Sequence, residues 1–508
     1  GSATSVRAAD IPDEQWSIMD GLMEKSADRT GVQLLGISIE DNSNLSERAS
    51  SMVGRDVGIA GDLGLRSCLS ASSPFCAAGH AQHLYAILPV CKTNSEFNCI
   101  VGLSAIKNGQ EIKGTYKRNF PEKGYTDFPA NVARNIPEGS TPSIWTFEGL
   151  THSGGTADYL ASFGVEAYFN GKSSAEFNSY NANINPVSIK SGRWGRNEVV
   201  DASKKPSSCT QNCGMELLGH SYDDKFVCAS LDEGFCAMRE TFPSEVRFMM
   251  SVRLSQSPAG WLHGRLKAPN IQIKPMGSGV SITIEAEPVT VPVVGILQAK
   301  SSLSAQLVSK YENEPSFVWS TNSSAISESN HLLMYQPDNQ KAFDALIDWK
   351  DFIKDKANAS PTEWAVRSLS AGESAASCFK STTELVGIVT TNSMVYLGTP
   401  PTFDKVNQTL DYKVASPHFT SKGEVFKGTY DLQIKSDVAR CLYGFSSAPI
   451  SAKISIISES GEANVATTVV NEKDGWMKMA AYGFTFSAPT VKVKLTQVAQ
   501  AVATPSPT

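Results

Sequence analysis

Cysteine spacing constrains this chain more than any other feature of its sequence. Eight of the ten cysteines form two groups of four: Cys68, Cys76, Cys91 and Cys99, then Cys209, Cys213, Cys228 and Cys236. In both groups 14 residues separate the second cysteine from the third, and 7 residues separate the third from the fourth. This shared register predicts a duplicated unit across residues 68–99 and 209–236.

The spacing favours disulfides over a metal site. A structural zinc site commonly takes its ligands in close pairs, about two to four residues apart. Cys209 and Cys213 have that separation, but no second pair in either group does. The two remaining cysteines, Cys378 and Cys441, predict one further bridge. We therefore expect cystines at all ten positions, no bound metal, and an oxidising, extracellular compartment.

The connectivity within each group of four is open. Sequential pairing would close short local loops, and nested pairing would close a hairpin. In both groups a stretch with strand character leads into the third cysteine, at residues 84–90 and 225–227. The expectation is a stapled β-hairpin that occurs twice.

The composition suits an extracellular β-rich protein and excludes several partners. Charged residues make up 19% of the 508 residues and the net charge is −6, whereas soluble domains typically contain about 25% charged residues. Lysine and arginine never run beyond a pair, which argues against nucleic acid and against a basic membrane-binding helix. The apolar stretches are shorter than the roughly 18 residues that a membrane helix requires. The first residues lack the features of a signal peptide and favour a mature N-terminus, a domain boundary or a cloning scar.

Hydrophobic periodicity predicts a mainly β chain with a short helical segment. The N-terminal and central strands are expected over residues 32–39, 143–147, 246–254, 271–273, 280–286 and 289–294. Helices are expected over residues 10–26 and 340–355, and a capping box at residues 360–363 predicts another helix that runs through residue 369. The asparagine-rich residues 177–185 favour turns and irregular surface.

These elements suggest three regions and a tail. Residues 1–300 are expected to form a disulfide-stapled β-rich region with an N-terminal helix, divided into two related units at about residues 32–200 and 201–300. Residues 301–420 are expected to be a mixed region with a helical pair. Short alternating strands separated by turn signals predict an immunoglobulin-like β-sandwich over residues 421–498. Residues 499–508 have the composition of a linker.

Four stretches carry a resemblance to a known class of proteins. Residues 440–450, 475–476, 481–487 and 261–266 are similar to stretches of large secreted actinobacterial proteins of uncharacterised function. The resemblance covers about a quarter of the chain. It implies secretion and a surface setting, and it carries over no catalytic residue.

Trp261, His263 and Arg265 form the most concentrated group of side chains suited to binding. On one interpretation they are exposed and stack on a sugar or hold a carboxylate. On the other, they belong to a turn with a core tryptophan and a solvent-facing arginine. Trp145 and Tyr168 present the same choice between an aromatic platform and a core position.

Motifs for catalysis are missing from the sequence. It contains no nucleophile elbow, phosphate-binding loop, zinc-protease motif or EF-hand loop. Adjacent carboxylates occur at Asp223 and Asp224 and at Glu285 and Glu287. Glu285 and Glu287 share one strand face, which a solvated surface explains better than a catalytic pair does.

We therefore expect a secreted or cell-surface structural or adhesive protein that lacks catalytic activity and cofactors. It would act by self-association or by binding a glycan or a cell surface. The alternative is a secreted hydrolase that acts on polysaccharide, and a third hypothesis is a small-ligand binder with a deep apolar pocket.

Overall fold

The computed structural model describes the parts of the chain that determine its architecture. These are residues 33–41, 50–55, 65–77, 82–124, 126–191, 228–232, 235–312, 314, 318–319, 331–372, 375–381, 383–444, 450–457, 467–486 and 490–497. The helix expected at residues 10–26 and the tail at 499–508 lie outside them. The described chain is mainly β, as the sequence predicts. None of its helices is both long and apolar enough to cross a membrane.

The strands and helices have the following bounds. The strands are β1 (Leu34–Ile39), β2 (Ser51–Arg55), β3 (Leu65–Ser67), β4 (Gln82–Ile87), β5 (Cys99–Lys107), β6 (Gln110–Lys113), β7 (Thr115–Asn119), β8 (Ser143–Thr146), β9 (Asp158–Phe169), β10 (Glu176–Ser191), β11 (Cys228–Asp232), β12 (Phe235–Arg239), β13 (Val246–Leu254), β14 (Gly260–Arg265), β15 (Lys267–Met276), β16 (Gly279–Glu287), β17 (Val289–Thr290), β18 (Val294–Ala299), β19 (Val318–Trp319), β20 (His331–Tyr335), β21 (Thr362–Glu363), β22 (Ala365–Leu369), β23 (Leu385–Thr391), β24 (Val395–Tyr396), β25 (Thr402–Asp404), β26 (Thr409–Ala415), β27 (Lys427–Lys435), β28 (Ile450–Ile457), β29 (Thr467–Lys473), β30 (Trp476–Thr485) and β31 (Thr490–Gln497). The helices are α1 (Pro74–Ala77), α2 (Ala305–Glu312), α3 (Gln340–Asp348), α4 (Lys350–Ile353) and α5 (Ser436–Tyr443).

A 15-stranded sheet forms the centre of the molecule. Its main path runs β29-β30-β27-β23-β14-β22-β10-β9-β4-β2-β3, and β7, β8, β11 and β12 branch from it. Neighbouring side chains on a strand point to opposite faces of a sheet. Trp261 and Leu262 therefore enter different hydrophobic cores although they are adjacent on β14.

The first core lies between the central sheet and a five-stranded sheet of order β15-β16-β13-β5-β6. Strand β13 shows why the sequence folds this way, because Val246, Phe248, Met250 and Val252 alternate with more exposed residues and are buried. Burial of such side chains stabilises the packing by about 1.5–3 kcal/mol each.

The second core lies on the other face of the central sheet. The opposing sheet has the order β24-β26-β31-β28, with β25 paired to β26. Leu432 and Met479 from the central sheet meet Leu410 and Tyr412 from the smaller sheet. These paired sheets are consistent with a sandwich, while the immunoglobulin-like assignment stays a prediction.

A third core forms around the sheet β18-β1-β20-β19 and helices α2 and α3. The expected strand at residues 32–39 is confirmed as β1. The helix expected at residues 340–355 is confirmed as α3 and α4, which are separated at the buried Trp349.

Two sequence-based expectations of secondary structure are wrong. Residues 360–369 form strands β21 and β22 instead of a helix, because β22 lies between β14 and β10 and buries Val366 and Leu369 against two cores. Residues 177–185 lie within the 16-residue strand β10 instead of turns, because their apolar positions alternate with the asparagines and are buried.

The expected domain boundaries do not coincide with sheet boundaries. Strand β1 pairs with β18 and β20, which lie on either side of residue 300. Strand β27 follows residue 421 and pairs with β23, which precedes it. The three regions are therefore interleaved through shared sheets.

Three cystines are formed in the described chain, namely Cys68–Cys76, Cys91–Cys99 and Cys378–Cys441. The first group of four is thus paired sequentially and closes two local loops. Cys209 and Cys213 lie outside the described residues, and only the backbone of Cys228 and Cys236 is described.

The described strands around the two groups of four differ, and the duplication itself stays a prediction. Cys228 and Cys236 lie on the paired strands β11 and β12, which are attached to the central sheet. Cys91 precedes β5 and Cys99 begins it, in the five-stranded sheet. Equal spacing therefore does not produce equal local structure.

Candidate binding face

Polar side chains occupy one face of the central sheet across β22, β10, β9 and β4. The register places Arg367 beside Asn181, and Asn181 beside Gly164. Further along the same strands, Glu166 lies beside Tyr85, and Tyr168 lies beside His83. We name this surface the polar face and define it by His83, Tyr85, Glu166, Tyr168, Asn178, Asn181 and Arg367.

One end of the polar face combines an aromatic ring with a charged group. The ring of Tyr168 is 51% exposed and its centroid lies 4.8 Å from that of His83. The Nε2 atom of His83 lies 3.1 Å from Oε1 of Glu166. Hydrogen bonding to His83 is the largest cause of the lowered pKa of Glu166, and hydrogen bonds from Asn178 and Tyr168 add to it. Glu166 is therefore ionised at neutral pH.

The middle of the polar face depends on Gly164, which has no side chain. The Tyr85 hydroxyl donates a 3.0 Å hydrogen bond to Oδ1 of Asn181. The two side chains meet over Gly164, where an added Cβ would lie 2.1 Å from the Tyr85 hydroxyl oxygen and 2.8 Å from Asn181 Oδ1. Glycine at this position therefore lets the two polar groups meet across β9.

Arg367 forms the other end of the polar face. Its Nη2 donates to Oδ2 of Asp338 at 3.0 Å and to the Tyr396 hydroxyl at 2.8 Å. The side chains of Arg367 and Asp338 are 24% and 34% exposed. The charge of the arginine is thus balanced at a position that solvent reaches.

Behind Arg367 lies a buried cluster of charges that includes two of the side chains singled out in the sequence. Arg265 donates from Nε to Oδ2 of Asp41 at 2.6 Å and from Nη1 to the Thr391 carbonyl at 3.1 Å. Its guanidinium carbon lies 4.6 Å from the centre of the Tyr396 ring. The His263 ring stacks on the Tyr396 ring, with 4.0 Å between the ring centroids.

Neither interpretation of Trp261, His263 and Arg265 is right in full. Trp261 lies in a core, as the second one expects, but Arg265 is buried instead of facing solvent, and the stretch is a strand instead of a turn. All three lie on β14, which has a neighbouring strand on each side, and they are at most 2% exposed. The indole of Trp261 donates to the Phe379 carbonyl at 2.9 Å in the second core. Binding of a ligand by these residues stays a prediction, and none of them belongs to the polar face.

The pKa values of the buried cluster follow from desolvation. Burial lowers the pKa of His263 well below its usual value, and the nearby Arg367 and Arg265 lower it further. Burial also raises the pKa of Glu363 to about 8, against the opposing effect of two arginines. At neutral pH both groups are therefore uncharged inside the protein.

The other residues considered from the sequence lie apart from the polar face. Trp145 is buried in the first core, so only Tyr168 of the expected aromatic pair is exposed. Glu285 pairs with Arg247 at 3.7 Å on the five-stranded sheet, and Glu287 lies on the same strand. Asp223 and Asp224 lie outside the described residues.

The described chain offers one group with metal-ligand geometry, Cys91, Glu96 and Cys99. Its two cysteines are joined in a cystine and have no thiolate to donate. This group therefore does not support a metal site.

Sequence reasoning missed most of the polar face because its members are far apart in the chain and belong to different strands. Its one local signal is the asparagine-rich stretch at residues 177–185, in which asparagines alternate with apolar residues. The chain matches no protein-family model, no curated protein and no solved structure.

Proposed function

We propose that this chain is a secreted or cell-surface protein without catalytic activity, which binds glycan through the polar face. The observation that carries the proposal is the exposed Tyr168 beside the carboxylate of Glu166, which the Asn178 amide also contacts. A sugar has an apolar C–H face and an edge of hydroxyl groups. An aromatic ring covers the first, and carboxylate and amide groups bind the second.

The polar face is also held in place before a ligand arrives. Its side chains project from four neighbouring strands of one sheet, and Tyr85 and Glu166 are already hydrogen-bonded to neighbours. A site on rigid strands loses little conformational entropy when it binds. This favours recognition of an extended, polar ligand laid across the strands.

The charges argue against the alternative of a polysaccharide hydrolase at this site. Glycoside hydrolysis commonly uses a carboxylic acid with a raised pKa together with a second carboxylate. Glu166 has a lowered pKa, so it is not such an acid. A second carboxylate, Glu176, lies opposite Tyr168 in the register, and Asp338 at the other end of the face is paired with Arg367. Glu363 has a raised pKa, but it is 2% exposed. Hydrolysis therefore remains the second candidate.

An extracellular setting is part of the proposal. It is supported by three cystines in the described chain, because structural disulfides persist in oxidising compartments. The low share of charged residues fits the same setting.

A glycan array followed by affinity measurement on the strongest ligand tests the proposal. Tyr168→Ala should weaken binding by about fivefold, since aromatic contacts contribute about 1 kcal/mol. Glu166→Gln should weaken it by a similar factor through the lost charge-assisted hydrogen bond. Tyr116→Ala is the matched control, because Tyr116 is 42% exposed and lies outside the polar face.

Gly164→Ala tests the geometry of the face while leaving its polar groups in place. The added methyl should separate Tyr85 from Asn181 and reduce affinity at least as much as Tyr168→Ala. Gly102→Ala is its control, because a Cβ there meets nothing within 4 Å. Absence of glycan binding by the wild type, or equal affinity of Tyr168→Ala, Glu166→Gln and Tyr116→Ala, would rule the proposal out.

A further inference from the structure

The Cys91–Cys99 cystine is open to solvent on one side, and in this it differs from Cys68–Cys76. Cys91 is half-buried, whereas Cys99 is 1% exposed. Cys68 and Cys76 are both buried, at 1% and 0% exposed. A thiol from solution can therefore approach the first cystine from the Cys91 side, while the folded protein shields the second.

A buried guanidinium lies beside the shielded sulfur atom of Cys99. Arg253 on β13 is 7% exposed, and its Nη2 lies 3.9 Å from Sγ of Cys99. It is not among the arginines that form ion pairs in the described part of the chain, and its Nε has no hydrogen-bond partner there. Its Nη atoms instead donate to the carbonyl groups of Asn94 and Thr93, each at 2.6 Å. A positive charge in this position stabilises a thiolate at Cys99.

The carboxylate of Glu96 opposes this effect. One of its oxygen atoms lies within 4.8 Å of both sulfur atoms. Its Oε1 accepts hydrogen bonds from the Thr93 N–H at 2.7 Å and from the Lys92 N–H, and these donors offset part of the negative charge. Arg253 is more deeply buried than Glu96, so water screens its charge less. The guanidinium is therefore the stronger influence at Cys99.

The loop between the two cysteines has attachments that do not depend on the cystine. The Cys91 N–H donates to the Ile100 carbonyl at 2.9 Å, and the Asn98 N–H donates to the Arg253 carbonyl at 2.7 Å. The Asn98 side-chain oxygen also accepts from the Ser255 N–H at 3.0 Å. Opening of the cystine therefore leaves the loop attached to β5 and β13.

We propose that the Cys91–Cys99 cystine is a thiol-exchange site, at which a small thiol becomes attached to Cys91. The thiolate of the incoming molecule attacks Sγ of Cys91 and forms a new sulfur–sulfur bond with it. The bond between Cys91 and Cys99 breaks, and its electron pair goes to Sγ of Cys99, which becomes a thiolate beside Arg253. One disulfide and one thiolate are consumed and one of each is formed, so the step needs no further oxidant or reductant.

Mass spectrometry of the whole chain after brief exposure to glutathione tests the proposal. The reaction is stopped in denaturant with N-ethylmaleimide, and the modified cysteines are located in proteolytic peptides. We expect glutathione on Cys91, the maleimide on Cys99, and an intact Cys68–Cys76 cystine. Attachment of glutathione mainly to Cys99, or opening of Cys68–Cys76 at the same rate, would overturn the proposal.

Variants of the two charged neighbours should change the rate of opening in opposite directions. Arg253→Met should slow it about tenfold, because a less stabilised thiolate leaves more slowly, and Arg253→Lys should restore most of the rate. Glu96→Gln should speed it, because the opposing charge is gone. Arg247→Met is the matched control, since Arg247 lies on the same strand and is partly exposed.

The sign of the rate change separates stabilisation of the thiolate from a structural role of Arg253. If Arg253 only held the loop in place, Arg253→Met would loosen the loop, so an unchanged or faster opening contradicts the proposal. The Cys378–Cys441 cystine is an internal reference, whose rate of reduction should be the same in every variant. The position of glutathione in the wild type and the rate in Glu96→Gln decide the proposal whether or not Arg253→Met folds.

Discussion

Glu363 illustrates how one buried side chain makes the stability of the fold depend on pH. Its Oε1 lies 4.0 Å from Arg239 Nη1, and its Oε2 lies 4.0 Å from Arg265 Nε. Oε2 has no hydrogen-bond partner among the described residues. Desolvation is the largest cause of the raised pKa of Glu363, and the carboxylate of Asp41 adds to it. The two arginines oppose this effect without offsetting it, so the pKa rises from 4.5 to about 8.

The direction of the pH effect follows from proton linkage. The folded state keeps the Glu363 proton up to about pH 8, whereas the unfolded chain releases it near pH 4.5. Between these values the folded state binds more protons, so stability falls as pH rises, by about 1.4 kcal/mol per pH unit at most. The contribution is fully present below pH 4.5.

Glu363→Gln should remove this dependence because glutamine has the same shape and no proton to release. We expect the variant to gain stability relative to the wild type as pH rises from about 5 to 8. Thermal unfolding midpoints of both proteins across this range measure the difference. Parallel pH profiles of the two proteins would contradict the assignment of Glu363 as the titrating group.

At the scale of elements, hydrophobic periodicity predicted the correct secondary structure where tertiary packing favoured the same element. The alternation at residues 246–254 predicted β13, and the spacing of apolar residues from Gln340 predicted α3. The capping box at residues 360–363 failed because β22 fills a gap between β14 and β10 that only a strand can fill. Helix propensity is worth tenths of a kcal/mol per residue, while burial of Trp364 and Val366 is worth several times more.

The Cys378–Cys441 cystine joins a turn to helix α5 across 63 residues of sequence. In the chain-entropy account a longer loop gives a larger stabilisation, and a loop of this length corresponds to about 4 kcal/mol. Replacement of both cysteines by alanine should lower stability by about that amount. Removal of the 8-residue bridge between Cys91 and Cys99 should cost about 2.5 kcal/mol.

Chemical unfolding of the two double-alanine variants measures this difference. The Cys91→Ala, Cys99→Ala variant serves as the control, since it removes the same number of sulfur atoms from a shorter loop. A larger loss from the short loop than from the long one would show that local packing, and not loop closure, determines the contribution of these bridges.

On the scale of the whole molecule, the polar face exists because strands distant in sequence become neighbours. The pairing of β4, β9, β10 and β22 brings His83, Tyr168 and Arg367 onto one face. His83 and Arg367 are 284 residues apart in the sequence. The sequence shows which residues are polar or aromatic, but it does not show which of them lie side by side. Their positions depend on the pairing of strands, and packing of the three cores determines that pairing. The same topology turned the Trp261–Arg265 stretch into a buried strand.

Arg265 connects three distant parts of this topology. From β14 in the central sheet it binds Asp41, which follows β1. It also binds the carbonyl groups of Thr391, which ends β23, and of Ser393, which follows that strand. Its side chain is 1% exposed. Loss of one partner of a buried ion pair leaves the other charge without compensation, which costs about 3–5 kcal/mol.

Arg265→Met should therefore destabilise the whole chain by about 3–5 kcal/mol, measured by chemical unfolding. Arg247→Met is the control, because its 3.7 Å pair with Glu285 is partly exposed and should contribute only about 1 kcal/mol. Adding Asp41→Asn to Arg265→Met should recover part of the loss, since it removes the uncompensated carboxylate. The opposite outcome is simple additivity, in which Asp41→Asn lowers stability by the same amount with and without Arg265→Met. In that case the two side chains are not coupled, and Arg265 does not anchor β1 through Asp41.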